Sequence, residues 1–306
     1  VIQRLLPFLT LIALFVVLSL ASPNFLTSTN LSSVVRQTAV INIMALGMTM
    51  IIICGGIDLS VGSILAMGGL LGTLAMEKGS AIPVGILVGV LAGLACGFGN
   101  GFLTTRLKIN PFIVTLGTLG IIRGLALIIS NGLPVHQVPK AFSYLGEGTL
   151  LRVPFVLWIL LLCAVVVHLV LDHTRLGRYA FAIGSNPEAA LYAGINVRLV
   201  TTAVYTLCGM LTGLAGMIEA SRLMTGQPTA GQGYELQAIA AVVIGGGSLR
   251  GGEGSVIGTL VGAFIMGLLS NGSDLLGISP YLQQVIIGGV IILAVAVDEL
   301  RKRRLG

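Results

Sequence analysis

The sequence predicts an all-α, polytopic integral membrane protein, a single domain over residues 1–306 with about ten transmembrane helices and an inverted repeat. Three observations carry that expectation. The chain is 55% hydrophobic and only 9% charged, against roughly 25% charged in ordinary globular domains, and its mean hydropathy is +1.02. Its apolar residues fall into separate runs, all but one of roughly 17 to 25 residues, the length a spanning helix needs. Its 43 glycines are spread through the apolar runs without a G-X-Y period, as in membrane helices whose backbones approach closely.

The first run, 5–22, follows Arg4 and ends in Ser19-Leu20-Ala21, which faintly resembles a signal peptide. Many further runs follow at once, so it reads as an uncleaved span. Spans follow at 34–54, 60–76, 82–103 and 111–130; the last opens on Asn110-Pro111, a capping side chain ahead of a proline at the first helical position. Further spans lie at 154–171, 200–220 and 255–271, and the last, 280–297, opens in the same way on Ser279-Pro280. A shorter run, 237–249, has the length of a re-entrant segment. It is expected to cross, because otherwise the tail Arg301, Lys302, Arg303 and Arg304 would lie outside.

With a cytoplasmic N-terminus these spans place Arg4, Arg106, Lys108, Arg175, Arg178, Arg198, Arg250 and the tail inside, in accord with the positive-inside rule. Both termini are then cytoplasmic, residues 131–153 lie outside, and the soluble-looking segment 172–198 lies inside. Two stretches, GGIDLSVGSILAMGG (55–69) and GGGSLRGGEGSVIGTLVG (245–262), each set a glycine-rich break ahead of a small-residue helix. An odd number of spans between them would give the two halves opposite orientation, the arrangement that puts a substrate path at the repeat interface.

Composition also excludes function classes. The net charge of +6 comes from cations scattered or grouped at the ends of apolar runs, a pattern that sets membrane orientation and does not suit nucleic acid. Cys54, Cys96, Cys163 and Cys208 stand alone in apolar runs with no C-x-x-C or His/Cys spacing, so no metal site is expected. There is no G-x-x-x-x-G-K-[ST] phosphate loop, no nucleophile motif and no pair of catalytic carboxylates. The chain is read as a non-enzyme that binds no cofactor of its own and is surrounded by membrane lipid.

Several residues stand out as functional candidates. In segment 172–198, Asn186-Pro187 is a helix-start signal, and EAALYAG (188–194) reads as a short helix stopped by Gly194. Glu188 sits in its first turn, where a negative charge complements the helix dipole. The small side chains of Ala189 and Ala190 would let such a rigid peg approach a groove in another protein. Ionisable groups within spans are costly and mark sites by default. Asp58 either caps the span after it or contacts substrate at a gate; Arg123 either snorkels to the outer surface or faces the path. Glu219 and Arg222, three apart, share a helix face and either simply pair or set Glu219 on the substrate path. Asn42 and Asn100 either bridge helices or line the path, and His168 reads as structural. The outer stretch from Gly226 to Glu235, with Gln227, Thr229 and Tyr234, is a candidate surface for a docking protein.

The spacing Glu-Ala-Ala, three residues, Gly resembles the coupling motif of permease subunits of ATP-binding-cassette importers, whose short cytoplasmic helix docks into the ATPase. More specific are GGIDLSVGS (55–63), LGRYAFAIGSNPEAALYAGINV (176–197), QPTAGQGYELQAIAAVVIGG (227–246) and GGEGSVIGTLVGA (251–263). Together with the span count they resemble the branch of these permeases that serves ribose and other monosaccharides, within the branched-chain amino acid and sugar permease superfamily. The likeness covers nearly the whole chain. The Leu-Pro pair of the extended motif is absent after Gly194, as fits the sugar branch.

The resemblance implies a permease in the bacterial inner membrane, one of two identical chains. Its partners would be a cytoplasmic ATPase, which binds ATP and Mg, and an extracytoplasmic sugar-binding protein. Asn186, Pro187, Glu188, Ala189, Ala190 and Gly194 would couple to the ATPase. Other readings stay open: an importer permease for branched-chain amino acids, nucleosides or a furanose-like signal, an ion-coupled secondary transporter using Asp58 and Glu219, or a static receptor.

Overall fold

The computed structural model describes the backbone of residues 2–303 and the side chains of residues 5–293, 295 and 296. The side chains of Arg4 and of the tail from Arg301 to Arg304 lie outside the described residues. Helices dominate, with α1 at Ile2–Ala21, α2 at Ser28–Ile53, α3 at Val61–Glu77, α4 at Ile82–Leu107 and α5 at Pro111–Ile129. Residues 131–153 hold a 3-10 turn at Lys140–Ser143, a short turn of α-helix, α6 at Tyr144–Glu147, and a two-residue hairpin whose turn residues Leu151 and Arg152 both have positive φ, the geometry that matches strand twist. Then come α7 at Phe155–His173, α8 at Arg175–Ser185, α9 at Pro187–Tyr192, α10 at Val197–Leu223, α11 at Tyr234–Ile244, α12 at Val256–Leu275 and α13 at Pro280–Arg303.

Six of these, α2, α4, α5, α7, α10 and α12, are long and apolar enough to cross a membrane, and shorter apolar helices lie in α1, α3, α11 and α13. Together these ten apolar helices of the described residues are roughly consistent with the expected count. The caps read from sequence are present: the Phe112 amide donates to Asn110 Oδ1 at 2.9 Å, and the Leu282 amide to Ser279 Oγ at 3.3 Å.

Two helices organise the rest. Helix α2 runs through the middle, buried almost throughout from Thr38 to Ile53, and α10 packs against α2, α3 and α4. The α4–α10 contact is a seam of small residues. Gly85, Gly89, Gly93, Gly97 and Gly101 recur every fourth residue on α4; Gly85 lies against Gly72 and Met76 of α3, and the other four meet α10 along Met217, Gly213, Gly209, Tyr205 and Thr202. A Cβ on Gly93 or Gly97 would overlap the carbonyl oxygens of Gly209 and Tyr205. This backbone-to-backbone approach is what small residues at fixed spacing permit in a membrane.

The two glycine-rich breaks do not behave as halves of an inverted repeat. Thr49 meets Thr259 and Asn30 meets Asn271, so α12 runs antiparallel to α2 and starts where α2 ends. There the Gly252 amide donates to the Ile53 carbonyl at 2.9 Å, joining one break to the other. Helix α3 leaves the same end and reaches Gly226 through Thr73 at the other. Segments 55–69 and 245–262 therefore point the same way, because α3, α4, α5, α7, α10 and α11, an even number of crossings, lie between them.

The short run 237–249 is also corrected. Its helix starts earlier, at Tyr234, and stops at Ile244, since Gly246, Gly251 and Gly252 adopt positive φ that ends regular structure. At 1.5 Å per residue its 11 residues cover only about half of a ~30 Å hydrocarbon core. The remaining depth is crossed by non-helical chain. Gly226 abuts Gly69 and Thr73, and Gly231 abuts Gly62, all on α3, so residues 226–231 descend alongside that helix instead of staying at the surface.

Candidate functional site

At one end of the bundle the segment around α9 forms a projecting element. Asn186 Oδ1 accepts from the Ala189 amide at 2.9 Å, Pro187 opens the helix, and Gly194 turns the chain at φ 81°. Glu188 and Ala189 are exposed, Leu191 is 61% and Tyr192 88% exposed. Ala190 points the other way: it is 4% exposed and belongs to the main core cluster. The expectation that both alanines face a partner is corrected for Ala190, because in so short a helix the residue three after the N1 proline falls on the inner side.

Helix α8 ties this element to the centre. Its Gly184 lies against the Ile53 carbonyl and the Gly252 amide, where the two breaks join, and a Cβ on Gly251 would sit 2.9 Å from Gly55 Cα. Beside α9 opens a cleft of about 1190 Å³, lined among others by Arg106, Lys108, Glu188, Arg198 and Arg250. Of the cations that the sequence reading placed on one side, Arg106, Lys108, Arg198 and Arg250 line this cleft.

The first break holds a fully buried carboxylate. Asp58, Ser60 and Asn100 are each fully buried. Asp58 Oδ1 accepts from the Ser60 amide at 2.8 Å and the Ser60 hydroxyl at 2.6 Å, while Asn100 Nδ2 donates to Asp58 Oδ2 at 3.1 Å. The Tyr205 hydroxyl donates to the Ile57 carbonyl at 3.2 Å. Ser60, not Asp58, stands at the N-cap of α3; Asp58 caps one step removed, by fixing Ser60, and joins the break to α4 through Asn100. Sequence marked Asp58 and Asn100 separately and had no signal that they meet across 42 positions.

The other candidates are placed as follows. Asn42 is fully buried and donates to the Thr38 carbonyl of its own helix. Glu219 and Arg222 pair at 3.0 Å, and the Tyr234 hydroxyl reaches Glu219 at 3.5 Å. Arg123 neither snorkels nor stands free, for its Nη1 donates to the carbonyls of Pro228 at 2.6 Å and Ala230 at 2.8 Å. Gln227 and Thr229 are exposed, whereas Tyr234 is half-buried. His168 pairs with Asp172 at 2.7 Å. Among the described residues no group of three or more His, Cys, Asp or Glu side chains could hold a metal.

The family model described as branched-chain amino acid transport system / permease component matches residues 30–295. The chain belongs to this permease family. It is thus a multi-pass membrane protein and a transport component, not an enzyme. The permease is 44% identical over 298 residues to the ribose import permease protein RbsC of Escherichia coli (strain K12), covering 96% of this chain and 93% of that one. It is 44% identical over 300 residues to RbsC of Bacillus subtilis (strain 168), covering 97% and 93%. With the L-arabinose ABC transporter permease protein AraH of Azospirillum brasilense it shares 38% identity over 293 residues, covering 96% and 86%. No solved structure matches the permease.

Proposed function

We propose that this chain is the membrane subunit of an ATP-binding-cassette importer that carries a monosaccharide of the ribose class. The observation that carries the reading is end-to-end identity of 44% with ribose import permeases. Residues 1–306 act as one permease domain in the bacterial inner membrane, both termini cytoplasmic, with 172–198 as its coupling segment. Two such chains assemble with a cytoplasmic ATPase and an extracytoplasmic sugar-binding protein. This chain holds no cofactor; ATP and Mg are bound on the ATPase.

Coupling runs through contacts already described. The ATPase grips the exposed face of α9, chiefly Leu191 and Tyr192. A displacement of α9 moves α8, and Gly184 passes it to the joined breaks beside Ile53 and Gly252. Those breaks are the starts of α3 and α12, so both helices tilt together. Interdigitated backbones transmit such shifts because packed interfaces are bistable rather than soft.

Purification of the complex in mild detergent, with mass spectrometry of what accompanies the chain, tests the assembly. Uptake by vesicles of labelled ribose, arabinose, branched-chain amino acids and nucleosides tests the cargo. Co-purification of an ATPase with saturable pentose uptake is expected; uptake driven by an ion gradient without ATP overturns the reading.

A further inference from the structure

The descending stretch after α10 carries polar side chains where a lipid-facing wall should carry none. Its depth follows from its neighbours. Gly231 abuts Gly62 in the first turn of α3, and Asp58 and Ser60, just before that turn, bond Asn100 of α4. Asn100 stands seven residues before the end of α4 at Leu107, so this level is roughly 10 Å inside the bundle at 1.5 Å per residue. From Thr73 to Gly62 the stretch follows α3 for roughly 16 Å by the same measure.

Along it Gly226, Pro228 and Gly231 are buried, whereas Gln227, Thr229 and Gln232 are exposed. Non-helical backbone at membrane depth is tolerated only inside protein or beside a water-filled cavity. Here the inner edge is the buried one, and Arg123 takes up two of its carbonyls. The outer edge presents two carboxamides and a hydroxyl. The wall next to it is low: a Cβ on Gly117, Gly120 or Gly124 of α5 would meet nothing within 4 Å.

We infer that Gln227, Thr229 and Gln232 line the water-filled sugar path and supply its hydrogen bonds, with Arg123 as the positioning residue that holds their backbone in place. A carboxamide offers both donors and an acceptor, and a hydroxyl does the same, which suits a passenger made of hydroxyl groups. Being uncharged, these groups exchange water for sugar without trapping it. The inference rests on the sugar-importer reading, and it moves Gln227 and Thr229 from a docking surface into the path.

Single cysteines test it in the full importer in proteoliposomes, with the parent chain as the labelling blank. Thr229→Cys and Gln232→Cys should react with a charged, impermeant methanethiosulfonate. Leu162→Cys, on the exposed apolar face of α7, should react only with lipid-soluble N-ethylmaleimide. Positions 229 and 232 reacting only with the lipid-soluble reagent, or with neither, overturns the inference, since they would then face lipid or be covered by a second copy. Gln232→Leu should raise KM for sugar uptake about fivefold, the effect of one lost hydrogen bond, while ATPase co-purification is unchanged. Arg123→Ala should abolish the charged-reagent labelling at 229, and Arg123→Lys should partly restore it. An unchanged labelling pattern removes Arg123 from the positioning role. Labelling does not depend on cargo, so a parent importer that moves no sugar would sink the sugar reading and leave the water-filled path standing.

Discussion

Glycine does opposite work in two helices of this permease. On α4 a glycine at every fourth position from Gly89 to Gly101 is in backbone contact with α10, while on α5 Gly117, Gly120 and Gly124 face open space. In the first case the missing side chain lets two helices lock; in the second it keeps a surface low. The difference teaches that a glycine-rich membrane sequence states where backbones are bare, and only the fold says whether the gap is filled by protein.

The sharpest way to break the comparison is to fill the locked seam. Gly93→Leu must push α4 off Gly209 and Gly213, and overpacking of this kind costs about 3 kcal/mol or more. Loss of folded, detergent-extractable permease by size exclusion is the expected outcome. A monodisperse Gly93→Leu protein with normal uptake would mean that α4 and α10 are not locked.

Next in size is the buried link beside the seam. Asp58→Ala leaves the Ser60 amide and hydroxyl without their acceptor and reduces Asn100 Nδ2 to its bond with Ser60 Oγ, at about 1–3 kcal/mol for each buried group so orphaned. A lower melting temperature and impaired uptake should appear together. Asp58→Asn retains an acceptor and should fall between.

How much of this was legible in the sequence depends on range. Runs, caps and the α9 signature are local, so span 111–130, the Asn110 cap and the Asn186 and Gly194 ends of α9 could be read directly. The Asp58–Asn100 link, the Gly184 junction and the descent of 226–231 depend on contacts between distant segments. The sequence of 226–235 looks like surface loop because its residues are polar and flexible; that it enters the bundle is set by the bare face of α3 at Gly62 and Gly69. Ala190 was misread because a six-residue helix has no periodicity long enough to reveal its inner side.

That inner and outer contrast on α9 gives a smaller effect on folding with a distinct readout. Leu191→Ala with Tyr192→Ala removes exposed side chains and should leave the stability within about 0.5 kcal/mol of the parent, as surface changes do. ATPase co-purification and uptake should fall together. Ala190→Trp should instead lower the yield of folded chain, since it enlarges a core residue. If Ala190→Trp folds normally and only docking suffers, the inner placement of Ala190 is wrong.

The smallest expected effect comes from the open glycines, and it completes the comparison with the seam. Gly120→Ala adds a methyl group where nothing lies within 4 Å. Alanine is favoured over glycine in a helix by about 0.8–1 kcal/mol, so the change should leave stability equal or slightly higher, whereas Gly97→Ala in the seam should lower it. A larger residue separates open space from useful space. Gly120→Leu extends a larger side chain from a position where a Cβ meets nothing within 4 Å; if α5 borders the sugar path it narrows that path, so uptake should slow by a few-fold with melting temperature and ATPase binding unchanged. If Gly120→Leu transports at the parental rate, α5 borders lipid at that level, and the path must lie on the far side of the Gln227–Gln232 edge. If it instead lowers the melting temperature, a second copy already fills the gap, and the two classes of glycine are one.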